Sequence, residues 1–174
     1  MTKTIKDEEY LYLINHIMEN SEFQKMNSIK HHNTTRMDHS LKVSYYSYKI
    51  AKSLRLDYED VARGGLLHDF YVEEIRNIHK IKDKILLFST KHPTEAVENA
   101  SRHFELSEKE VNIIQSHMFP VDYRIPKYAE SWIVSLVDKV LSFGEVSKRF
   151  GHKLSYVFLT ASHPDEYNIQ LFHI

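Results

Sequence analysis

His39, His68, Asp69 and Asp138 are the residues of this chain whose types and spacing could do chemistry together. His68 and Asp69 stand side by side near the end of GGLLHDFY, residues 64–71, where an apolar, helix-like run closes on side chains that bind metals. Imidazole and carboxylate suit iron, manganese, zinc, cobalt or nickel and exclude a calcium-like site. The chain has no cysteine, so thiolate zinc sites, disulfides and cysteine nucleophiles are all excluded. Asp138, in IVSLVDKVL, shares a helical face with Val134 and Leu141 and should point toward the core. An unpaired charge there would cost several kcal/mol. An ion pair with an arginine is the alternative, but beside His39, His68 and Asp69 a bound cation is the better reading. His92, before Pro93, and His117, near a helix end, fit a second site. Taken singly, each reads better as a capping or surface histidine than as a ligand; the order H…HD…H…H…D is what links them to the pair.

Helices must position these residues. Four glycines, four prolines and no sustained apolar–polar alternation predict an all-α chain. Helices are expected over about 7–19 and 21–28, then from an N-cap at Thr35, with Asp38 three residues on, to about Leu54. The inward stripe of that helix reads His39, Val43, Tyr46, Ile50, Leu54. Asp57 caps the next helix, to about Phe70, with Val61, Gly64, Gly65 and His68 on one face. The short connection makes these helices antiparallel neighbours. His39 lies about 22 Å and His68 about 15 Å from their shared turn, so a modest tilt brings them together. Two mid-helix glycines cost about 1 kcal/mol each relative to alanine, which suggests close packing against a neighbour. Residues 73–90 read as a loop with a short helix. Pro93 suits the first turn of a helix over about 93–104, Ser107 and Glu110 form a capping box for one through Met118, and SWIVSLVDKVLSF gives a core helix over about 130–145.

The chain of 174 residues is sized for one core. Its formal charge of −1 offers no broad basic face, so a nucleic-acid polymer is not an expected partner. The acidic N-terminus does not read as a signal peptide, and no segment reaches the roughly 18 apolar residues of a membrane span. A cytoplasmic protein with no membrane association is expected; a homo-oligomer is allowed.

The order of these residues resembles the HD-domain superfamily of metal-dependent phosphohydrolases. The matching text is RMDHS at 36–40, GLLHDF at 65–70 and SLVDKV at 135–140. The resemblance implies an HD-type helical bundle over about 30–145, an N-terminal helical segment over 1–29 packing on it, and a C-terminal extension over 146–174. It implies that His39, His68, Asp69 and Asp138 hold a primary metal. His92 in KHPTEA and His117 in QSHMFP match the additional histidines of the subgroup with two metals, with Asp69 bridging them. The cofactor expected is therefore two divalent transition metal ions, iron or manganese first. Ions about 3.5–4 Å apart can share a hydroxide, lower its pKa and clamp phosphoryl oxygens during in-line attack. The implied activity is hydrolysis of a small phosphate ester, a nucleotide or dinucleotide.

Arg36, one turn before His39, could contact a substrate phosphate, and Lys139 invites the same reading, although an adjacent residue on a helix points about 100° away from Asp138. Glu73 and Glu74 are candidate acids. Tyr45, Tyr46 and Tyr48 could stack on a base, but half-buried packing suits them better. His16, His31, His32, His79, His103, His152, His163 and His173 receive no role. Two other functions remain. A di-iron oxygenase of the same fold would show iron and oxygen consumption, and a noncatalytic module would have little reason to keep six ligand-type residues.

Overall fold

The computed structural model describes residues 5–31, 34–71 and 81–147. The all-α expectation holds. Among the described residues seven α-helices run in order: α1 Glu8–Met18, α2 Ser21–Gln24, α3 Arg36–Ser53, α4 Tyr58–Leu67, α5 Ile81–His103, α6 Glu108–Ser116 and α7 Ala129–Ser147. A 3₁₀ turn, Lys25–Ser28, follows α2, and a two-residue antiparallel pairing joins Lys30–His31 to Thr34–Thr35 ahead of α3. Most of the expected C-terminal extension, and Glu73 and Glu74, lie outside the described residues.

The helix starts are local and legible. Thr35 accepts from the Asp38 backbone N–H and Asp57 from that of Asp60, and Ser107 with Glu110 completes a reciprocal capping box. Each satisfies amides that the first turn of a helix leaves without partners.

The α3–α4 contact is the framework of the molecule, and small residues build it. A Cβ on Gly65 would lie 3.1 Å from the backbone Cα of Ser44, and one on Gly64 would lie 3.1 Å from the Ile113 side chain. Ser44 is buried, accepts from Tyr10 Oη at 2.8 Å and donates to Ala62 O at 2.6 Å, so α1 is tied through α3 to α4. The expected α3 stripe needs correction in its second half, because Ile50 and Leu54 are exposed. The buried rows run instead through Met37, Ser40, Leu41, Ser44, Ser47, Tyr48 and Ala51. Counting apolar residues misses this face because serines let the neighbouring backbone approach. Tyr48 packs with Tyr10 at 5.2 Å and Tyr58 at 5.6 Å, and Tyr45 with Tyr10 at 5.0 Å, so aromatic packing accounts for Tyr45 and Tyr48.

Two other expectations change. α4 ends at Leu67, with His68 as its C-cap, and does not extend to Phe70. Helix α5 begins at Ile81 and carries Pro93 in its interior, so His92 sits mid-helix and not at a start. A proline removes one helical hydrogen bond and costs about 3 kcal/mol; the helix nevertheless continues past it and buries His92, Ala96 and Ala100 in the interior. Arg124, from the α6–α7 connection, braces this stretch by donating to Thr90 O at 2.5 Å and to Thr94 Oγ1 at 3.0 Å.

Candidate metal centre

Five helices deliver six buried side chains to one point: His39 from α3, His68 and Asp69 from the end of α4, His92 from α5, His117 from the end of α6, and Asp138 from α7. His39 Nε2 lies 3.0 Å from Asp138 Oδ1, and the His39 and His68 ring centres are 5.6 Å apart. His68 Nε2 faces both carboxylates, 3.8 Å from Asp69 Oδ2 and 3.7 Å from Asp138 Oδ1. On the other side of Asp69, its Oδ1 stands 3.5 Å from His92 Nε2 and 3.6 Å from His117 Nε2, and those two nitrogens are 2.9 Å apart. Three overlapping groups result: His39–His68–Asp69, His68–His117–Asp138 and Asp69–His92–His117.

Local folding sets the chemistry of two rings. His68 and His117 are each a helix C-cap, and each points Nδ1 at the carbonyl three residues back, Gly65 O and Ile114 O, both at 2.7 Å. A carbonyl accepts, so Nδ1 holds the proton and Nε2 presents a lone pair. His68 Nε2 is buried without a hydrogen-bond partner, aimed at two carboxylates. Lone pairs converging in a desolvated pocket repel unless a cation lies among them. Burial pushes the Asp69 carboxyl up, but His68, His92, His117 and His39 together hold it well below the usual carboxylate range. Burial likewise opposes ionisation of Asp138, and the His39 hydrogen bond with His68 and His117 overrides it. Burial, with His92 and His68 nearby, pushes His117 down to about 3, against the pull of Asp69 and Asp138. The pocket thus combines ionised carboxylates with a neutral imidazole. Donor atoms about 2.1 Å from a shared ion stand at separations close to those seen here. Both chemistry and spacing fit divalent transition ions.

Residues 36–142 match the family model of the HD domain, which is more than half of the chain. The chain belongs to the HD-domain family. Comparison with curated proteins and with solved structures gives no match. HD-domain membership places the chain among proteins of metal-dependent hydrolase type, mostly phosphohydrolases, and the His/Asp cluster is where this HD domain could bind metal ions. Among the described residues, no helix is long and apolar enough to cross a membrane.

Arg36 is buried beside this HD-domain cluster. Its Nη1 donates to Tyr71 O at 2.5 Å, its guanidinium lies 3.8 Å over the Tyr71 ring, and its Nε has no hydrogen-bond partner. The Tyr71 ring is 5.2 Å from that of His92. Lys139 is placed differently: its ammonium donates to His117 O, Ser135 O and Ser135 Oγ, which engages all its donors within the protein. Sequence reasoning also missed Asn99, whose amide donates to Phe70 O at 3.1 Å and holds the turn carrying Asp69. No sequence signal marks it, because its partner is a backbone carbonyl brought close only by folding. Asp122 is fully buried and pairs with Arg124, the residue bracing α5 on either side of His92. Arg124→Ala leaves that carboxylate without its cation and should destabilise the fold by about 3 kcal/mol in denaturant titration.

Proposed function

We propose that the chain is a metal-dependent phosphohydrolase acting on a small phosphate ester of the nucleotide or dinucleotide class. The observation that carries this reading is the orphaned His68 Nε2, facing two ionised carboxylates inside a cluster of six ligand-type residues. His39, His68, Asp69 and Asp138 would hold one ion. Asp69, His92 and His117 would hold a second, so that Asp69 would serve both. Such ions supply an acidified water and positive charge for phosphoryl oxygens.

The chain's own residues do the rest. The Nδ1 bonds to Gly65 O and Ile114 O keep both rings in the metal-binding tautomer. Arg36, buried with Nε unpartnered and stacked on Tyr71, is suited to anchoring a phosphate at the edge of the cluster. The formal charge of −1 favours a small substrate over a polymer.

The test is metal analysis of purified protein with a screen of nucleotide esters. Stripping with a chelator should abolish hydrolysis, and manganese or iron should restore it. At an ion concentration 100 times Kd, the ion should also stabilise the fold by about 2.7 kcal/mol, read as a rise in Tm. Full hydrolysis by a metal-free sample would overturn the proposal.

A further inference from the structure

We propose that Lys139 and Ser135 are positioning residues that hold His117 in place for the second ion, an inference that rests on the two-ion reading above. His117 is the C-cap of α6, among the helix-end positions whose carbonyls find no partner within the helix. Helix α7 supplies that partner twice over. His117 O accepts from Lys139 Nζ at 2.6 Å and from Ser135 Oγ at 2.9 Å. The ammonium also donates to Ser135 O at 3.1 Å and Ser135 Oγ at 2.9 Å, and Ser135 Oγ reaches Phe119 O at 3.3 Å. The ring of the same residue is tied at its other end, by Nδ1 to Ile114 O at 2.7 Å. With backbone and ring both fixed, Nε2 is left facing Asp69 and His92.

Chemistry, and not filling of space, explains a lysine here. A half-buried ammonium bears part of a desolvation cost that an apolar side chain of similar volume would avoid, so the charge-assisted bond to His117 O must return something. The neighbouring Asp138 is the α7 residue that reaches His39. A single turn of α7, from Ser135 to Lys139, therefore addresses both halves of the centre. It reaches one by a carboxylate and the other through the backbone of His117.

The experiment is a cobalt(II) titration of chelator-stripped full-length protein, followed by visible absorbance and metal analysis, for the wild type, Lys139→Met, Ser135→Ala and Lys139→Arg. The wild type should take up about two equivalents. Lys139→Met and Ser135→Ala should keep the first step at wild-type affinity and weaken the second by about 10–100-fold, with a changed spectrum for that step alone. Lys139→Arg, still able to donate to His117 O, should recover most of the second step. If Lys139→Met does not fold, Ser135→Ala carries the test, since it removes one oxygen atom. Wild-type affinity at both steps in the variants that fold would overturn the inference. A wild type that binds one ion or none refutes the two-ion reading and this inference with it, and that outcome is visible before any variant is compared.

Discussion

Asp69→Ala should abolish both phosphoester hydrolysis and loading of the centre, and His68→Ala should follow it closely. Asp69 is the residue that faces both sides of the cluster, with Oδ2 toward His68 and Oδ1 toward His92 and His117. Ions at such a site contribute several kcal/mol of transition-state stabilisation. At about 1.4 kcal/mol per tenfold, the loss in kcat/KM should be about three orders of magnitude or more. Catalysis at wild-type rate in this variant would sink the assignment.

Gly65→Ala is expected to be the more damaging of the two glycine substitutions. Alanine is the better helix former by about 1 kcal/mol, so propensity alone predicts stabilisation. The added methyl, however, would meet the Ser44 Cα at 3.1 Å and the Ser44 N at 3.6 Å, which are backbone atoms of a buried helix. Overpacking costs about 1–3 kcal/mol, and backbone cannot rotate out of the way as a side chain can. A net loss of up to about 2 kcal/mol follows, measurable by denaturant titration. Activity should fall further than stability, because the contact that moves sets the distance between the helices bearing His39 and His68. Gly64→Ala meets the Ile113 side chain instead and should cost less. Equal or greater stability for Gly65→Ala would show that α3 and α4 can separate freely.

The all-α class, the caps at Thr35, Asp57 and Ser107, and the bringing together of His39, His68, Asp69, His92, His117 and Asp138 could be read in the sequence. Caps are local, and ligand-type residues on neighbouring helices announce themselves by type and spacing. What escaped was whatever depends on close backbone approach. The buried α3 face is lined by Ser40, Ser44 and Ser47, which a hydrophobicity count treats as surface. Helix α5 runs through Pro93 despite the local penalty. Lys139 looks from its position like a cation available to a substrate, and only folding shows it turned back onto the carbonyl of His117.

The helix end that presents His68 imposes an order on events at the centre. The last carbonyls of α4 carry the negative pole of a helix, about half an elementary charge, whereas the α6 end is met by the Lys139 ammonium. Added to Asp69 and Asp138, the α4 end disfavours a phosphate at the centre until cations are bound. Cations should therefore arrive first. An ester should bind the loaded protein more tightly than the stripped one, so ions would act as the gate to the site as well as its chemistry.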